Sequence, residues 1–200
     1  MVTDQEYKQF SFTAENQKAV TRQIAKYPEE RKQSAVLAAL DIAQRQCGGW
    51  LPQAAIEVVA ETLDMPKIRT LEVATFYSMF NLEPVGLHVV QVCTTTPCWL
   101  RGSAEITGAC ERHLKIKLGQ TTADGKFTLR EVECLGACVN APMMQIGDDY
   151  FEDLTRESTV SILEAFSRSE TPRYGSQSKR QNSAPGSGLT TLERDVEGGD

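Results

Sequence analysis

Between residues 13 and 80 the apolar positions recur at helical intervals. Val36, Leu40, Ala43 and Cys47 fall on one such stripe, the spacing that places side chains on a single helix face. Gly48-Gly49 then offers a stop, since glycine accepts the left-handed conformation just past a helix end. Pro52 suits the first turn of the next helix. Ile56, Val59, Ala60 and Leu63 repeat the stripe, Asp64 and Pro66 mark another stop and start, and Val73, Phe76, Tyr77 and Phe80 form a further stripe. A more polar helix is expected ahead of these, over 14–26. The front of the chain thus reads as roughly three or four short helices with their apolar faces turned together.

Pro84 and Gly86 end that pattern. A β-rich run follows over 87–92, and Pro97 can start a helix reaching about residue 114. Asp124-Gly125 is a turn signal ahead of a strand over 127–132. Residues 143–146 and 150–151 look like a hairpin around Gly147-Asp148-Asp149. Thr155 or Ser158 can cap a last helix carrying Val160, Leu163 and Phe166. Strand, helix, three strands, helix is the order of a small α/β (α+β) sandwich, and it resembles a thioredoxin-like fold. From 168 onward the chain is rich in Ser, Gly, Pro and charge, which leaves little to bury, so an extended or disordered tail is expected. Leu189, Leu192 and Val196 are its sparse anchors; a strap onto a partner is the sharper alternative. The expected division is a helical bundle over 1–84, an α/β domain over 85–167 and a tail over 168–200.

Composition narrows the function. A net charge of −6 and an isoelectric point near 5.1 argue against binding a phosphate backbone, which needs clustered Lys and Arg. With 40% hydrophobic residues the chain can build a core. It has no apolar run of about 18 residues or more, so no membrane-spanning helix is expected. The start, Met1-Val2-Thr3-Asp4-Gln5-Glu6, lacks the basic and apolar regions of a secretory signal and the Arg-rich make-up of a transit peptide. The expectation is a protein that stays in the compartment where it is made.

There are six cysteines. In a reducing compartment, close cysteine pairs point to metal or redox chemistry more than to disulfides. Cys93 and Cys98 bracket Thr94-Thr95-Thr96-Pro97, and Cys134 and Cys138 bracket Leu135-Gly136-Ala137. Each pair follows a predicted strand, so two strand-end loops can present sulfurs to one point. A 2Fe–2S cluster takes two thiolates per iron, which two loops with two sulfurs apiece can meet. Gly136 allows close backbone approach, and loop N–H groups can tune the bound group. Spacing alone ranks a cluster first. Zinc comes second, since its usual knuckle is tighter than C-x4-C or C-x3-C; structural or disulfide-bonded cysteines come third. The C-x-x-C of a thioredoxin dithiol is absent.

The surrounding segments carry a family resemblance. Val92-Cys93-Thr94-Thr95-Thr96-Pro97-Cys98 and Glu133-Cys134-Leu135-Gly136-Ala137-Cys138-Val139-Asn140-Ala141-Pro142 resemble the 24-kDa subunit family of NADH:quinone oxidoreductase, respiratory complex I. Gly48-Gly49-Trp50-Leu51-Pro52, Glu72-Val73-Ala74-Thr75-Phe76-Tyr77-Ser78-Met79-Phe80 and Asp148-Asp149-Tyr150-Phe151-Glu152-Asp153-Leu154-Thr155 extend the likeness, which covers about 12–166. Gly188-Leu189-Thr190-Thr191-Leu192 has a similar look. The resemblance implies a helical N-terminal bundle followed by a thioredoxin-like 2Fe–2S domain, with Cys93, Cys98, Cys134 and Cys138 as cluster ligands. Trp99 departs from the methionine common there, which implies only a packing difference. The resemblance further implies docking on a larger subunit that binds NADH and FMN, with other iron–sulfur subunits of the peripheral arm as neighbours. The cluster would accept single electrons from that FMN, off the main path to quinone. This chain has neither a G-x-G-x-x-G loop nor a P-loop, so FMN and NADH are expected on the partner. No nucleic acid partner and no membrane insertion are expected. The implied location is the cytoplasmic face of a bacterial inner membrane, or the matrix side of the mitochondrial one if a transit peptide has been removed.

The remaining chemistry-bearing residues read blandly. Cys47 and Cys110 fall on apolar helix faces and are expected to be buried, inert thiols. His88, in a strand, and His113, near a helix end, are expected to be structural. Trp50 and Tyr77 are expected as bundle contacts, with a partner interface as the alternative. Asp41 and Arg45 have the i, i+4 spacing of a solvated helix face. Glu131 and Glu133 flank the second loop, where carboxylates would disfavour a more negative reduced state. Two rivals stand beside the complex I reading: the diaphorase part of an NAD-linked hydrogenase or formate dehydrogenase, and a zinc-stabilised interaction module without redox chemistry.

Overall fold

The computed structural model describes residues 9–188 and 191 and divides the chain into two compact units, Met1–Leu87 and His88–Asp200. The anchors Leu189, Leu192 and Val196 lie outside the described residues.

The first unit is helical. α1 is Ala14–Ile24, α2 Val36–Gln46, α3 Gln53–Leu63 and α4 Lys67–Phe76, with a 3-10 segment Glu29–Ala35 ahead of α2. Thr13 caps α1 through its hydroxyl, which accepts the Asn16 N–H. Asp64 closes α3 in the left-handed conformation. Leu40 and Ala43 from α2, Cys47 just past its end, and Ile56, Val59 and Leu63 from α3 meet in one buried cluster with Val20, Ala74 and Phe80. Side-chain amides tie the ends together. Gln46 accepts from the Thr13 N–H and the Asn16 amide, while Gln44 donates to the Met79 carbonyl and accepts from the Asn81 N–H.

The stripe expected from Val73 to Phe80 is only partly realised. α4 ends at Phe76, and Tyr77 turns to extended backbone. Phe80 is buried, but Phe76 is 80% exposed and Tyr77 is exposed too. The chain leaves the helix before the period can bring these rings inward. Trp50, by contrast, is buried.

The second unit carries a five-stranded sheet of order β2-β1-β3-β4-β5. Its strands are β1 His88–Cys93, β2 Phe127–Val132, β3 Met144–Ile146, β4 Asp149–Glu152 and β5 Gly175–Ser176. β1 and β2 are parallel, β3 is antiparallel to both β1 and β4, and β5 is parallel to β4. The crossover between β1 and β2 is helical. The single helix expected over 97–114 is two: α5 Thr96–Leu100 and α6 Ser103–Leu114, parted at Gly102, whose φ of 91° breaks the α path. α7, Arg156–Ser167, starts with Thr155 as cap in a capping box with Ser158. α6 and α7 pack together, and Ile106, Cys110, Ile162 and Leu163 join Val90, Val92, Leu129 and Phe151 of the sheet in the core. This is the expected α+β sandwich. Past residue 168 the described chain is not free of structure: it supplies β5 and returns along the edge of the sheet.

Candidate metal centre

Parallel pairing decides where the two cysteine pairs meet. Cys93, the last residue of β1, stands in register with Val132, the last residue of β2. Neighbouring parallel strands end at the same side of a sheet, so the loops that follow them leave together. In the first loop Cys98 sits in α5, one residue past Pro97, and is buried with Cys93, Ala141 and Met143. In the second, Cys134 follows β2, and Cys138 opens the 3-10 turn Cys138–Asn140.

The sulfurs form two pairs. Cys134 Sγ and Cys138 Sγ are 3.4 Å apart, and the Cys98 thiol donates to Cys93. The pairs also sense one another: the charge of Cys93 bears on Cys98, Cys134 and Cys138 alike. A 2Fe–2S cluster asks for two donors at each of two irons, and two linked pairs of sulfurs match that count.

The loops supply hydrogen-bond donors. Burial pushes the Cys93 thiol up, but the Thr95 hydroxyl and N–H, the Cys98 thiol and the Leu135 N–H outweigh it and leave Cys93 below the usual thiol range. The Thr95 oxygen lies 3.3 Å from Cys93 Sγ. The Gly136 N–H, followed by the Cys138 thiol, holds Cys134 low as well. Gly136 adopts a φ of 84°, a left-handed value that favours glycine. Cys98 is pushed up to about 12, first by burial and then by its bond to Cys93 and that group's charge. Cys138 is raised by its bond to Cys134. In each pair, then, one thiol is lowered and its neighbour raised.

Cys93 and Cys98 are buried, Cys138 is partly covered and Cys134 is exposed. The site thus has a protein side and a solvent side. Trp99, next to Cys98, is 64% exposed.

Cys47 and Cys110 are buried, and burial raises their thiols to about 11 and about 12. His88 stacks between Phe127 and Phe166, and burial, then Lys126, lowers its pKa. Asp41 and Arg45 form the i, i+4 pair at 2.9 Å on an exposed face. Glu131 accepts from the Thr94 hydroxyl. Three contributors have no counterpart among the residues the sequence singled out. Thr95 had a local signal, a hydroxyl two residues after a cysteine in a turn. Tyr150, whose hydroxyl donates to the Leu135 carbonyl at 2.8 Å, and Arg180, which donates to the Val139 carbonyl, had none, because both reach the loop from distant sequence.

A β-α-β unit followed by a hairpin and helix, with cysteine pairs at two adjacent strand ends, defines a small α+β protein with a candidate metal centre. The profile of the thioredoxin-like [2Fe-2S] ferredoxin family matches residues 20–167. A subunit of the NADH-quinone oxidoreductase of Rickettsia felis is 58% identical over 158 residues, spanning 79% of this chain and 95% of that protein. The mitochondrial NADH dehydrogenase [ubiquinone] flavoprotein 2 of Dictyostelium discoideum is 50% identical over 187 residues, spanning 94% and 76%. This chain belongs to the thioredoxin-like [2Fe-2S] ferredoxin family and, within it, groups with these subunits of the NADH-quinone oxidoreductases. A solved NAD+-reducing [NiFe]-hydrogenase shares the fold over 68% of this chain with a TM-score of 0.58 and 21% identity; this chain spans 23% of that hydrogenase chain.

Proposed function

We propose that this chain is an electron-transfer subunit of NADH:quinone oxidoreductase, holding one 2Fe–2S cluster on Cys93, Cys98, Cys134 and Cys138. The observation that carries the ligand assignment is the pairing of β1 with β2, which brings both cysteine loops to one end of the sheet. The donor set fits: two thiolate pairs, lined by N–H and hydroxyl donors, half sunk in an apolar pocket. When bound, such a cluster supplies a store for a single electron.

The chain's own residues set the terms of that exchange. Thr95, Leu135 and Gly136 direct donors at the sulfurs, which favours the more negative, reduced state. Met143 and Ala141 keep water from the inner pair. Cys134 leaves the outer pair open toward whatever delivers the electron. Hydride chemistry falls to a partner subunit that binds NADH and FMN, and further iron–sulfur subunits of the peripheral arm complete the setting. No helix among the described residues is long and apolar enough to cross a membrane, in keeping with a peripheral position on the cytoplasmic side of a bacterial inner membrane, or on the matrix side in mitochondria. The second reading, a diaphorase part of an NAD-linked hydrogenase, has only a likeness of fold behind it; the high identity to the respiratory relatives favours the first.

Serine exchange tests the ligands. Cys134→Ser should strip or destabilise the cluster, while Cys47→Ser should leave the visible spectrum of the reconstituted chain intact. Equal behaviour of the two variants would sink the assignment.

A further inference from the structure

The second cysteine loop is braced from outside by the chain that follows α7. The side chain of Arg180 reaches under the loop and makes a fan of contacts. Its Nε and one terminal nitrogen meet Asp153 Oδ2 and Oδ1 at 3.0 and 2.9 Å. The same terminal nitrogen donates to the Val139 carbonyl at 3.0 Å and to the Asn140 side-chain oxygen. The other donates to the Ala184 carbonyl at 3.2 Å. Arg180 and Asp153 side chains are only 16% and 14% exposed.

Both ends of this contact are fixed. Asp153 Oδ2 also accepts from the hydroxyls of Ser176 and Ser178 at 2.6 and 3.2 Å, and the Asp153 N–H donates to the Asn140 carbonyl at 2.7 Å. Asn140, buried, donates its amide to Glu152 at 2.6 Å and to the Asn182 carbonyl at 3.0 Å. Val139 and Asn140 directly follow Cys138. The opposite flank of the loop is tied at Leu135 by Tyr150. Between these ties an open groove of about 1280 Å3 runs past Leu135, Gly136 and Ala137 toward Tyr174, so the loop is open to solvent on that side while Leu135 and Ala137 pack inward against the buried cysteine cluster.

We propose that Arg180 is a positioning residue for the metal centre: through Val139 and Asn140 it fixes Cys138 relative to Cys134, making the segment after α7 a built-in clamp on the outer sulfur pair. This rests on Cys134 and Cys138 being cluster ligands. A planar guanidinium can serve Asp153, Val139 and Asn140 at once; an ammonium is a single point and cannot. Loss of the fan leaves Val139 with its local turn alone and Asn140 with its bonds to Asp153, Glu152 and Asn182, and the outer sulfurs gain freedom without losing any bond of their own.

Arg180→Lys and Arg180→Ala in the full-length, cluster-reconstituted chain test this. The readouts are iron release to a chelator, the line width of the EPR signal, the midpoint potential and the thermal melt of the metal-free chain. Both variants should release iron about 10-fold faster or more, the range for lost supports behind metal ligands, with a broadened signal and a shifted midpoint. Lysine should restore the melt but not the release rate. Wild-type release and line shape in Arg180→Lys would overturn the clamp and leave a plain ion pair. If Arg180→Ala does not fold, Arg180→Lys decides alone. If neither folds, amide exchange in the unaltered chain decides: an Asp153 N–H as labile as an open loop overturns the proposal, and a protected one supports it. Cys134→Ser separates the two levels. Retention of the cluster there defeats the ligand assignment, whereas its loss beside a wild-type Arg180→Lys defeats only the clamp.

Discussion

Cys93 and Cys134 each accept from N–H or hydroxyl donors and from the neighbouring thiol, and Cys98 and Cys138 are the thiols that donate. The sequence displayed all four by spacing, but not which member of each pair is primed. That depends on Thr95, Leu135 and Gly136, whose roles come from loop geometry. Charge around the centre follows the same division. Glu131 is engaged by Thr94, while Glu133 is exposed beside Cys134. At about 10 Å through water-like dielectric a unit charge shifts a one-electron midpoint by on the order of 20 mV. Glu133→Gln should therefore raise the cluster's midpoint by roughly that amount, more at low salt than at high. Redox titration followed by EPR reads it, and an unmoved midpoint would mean that Glu133 has no part in setting the potential.

Elements with strong periodicity were legible, and their ends were not. The strand over 127–132 and the stripes of α2 and α3 stand where alternation and helical spacing put them. The third stripe failed at its end, because Tyr77 leaves the helix and Phe76 stays in solvent. Gly102 divided α5 from α6 although proline and the apolar spacing suggested a single helix. Both departures are backbone events that a pattern of side chains does not encode. A pair of substitutions contrasts the two cases. Leu129, fully buried between the helices and the sheet, should cost about 2–5 kcal/mol as Leu129→Ala. Phe76→Ser should move stability by about 0.5 kcal/mol or less. Urea unfolding of the two variants measures both, and a large loss from Phe76→Ser would mean its ring is covered in solution.

At the scale of the whole chain, family membership and local pattern were visible in sequence, and the return of the segment after α7 was not. Ser, Gly and charge there signalled too little burial for a core, which is correct as far as it goes. What holds residues 175–182 is polar: Asp153, Asn140 and Arg180, joined across about 30–40 positions of sequence, with no periodicity to announce them. The same polar return is what couples the chain's end to its chemistry. The central claim, a 2Fe–2S cluster on two cysteine pairs, is tested most directly by metal and sulfide analysis joined to EPR of the dithionite-reduced full-length protein. About two irons and two acid-labile sulfides per chain, with a signal from a single unpaired spin, are the expected result. A colourless protein that binds zinc stoichiometrically, and takes up no iron under reconstitution, would contradict it.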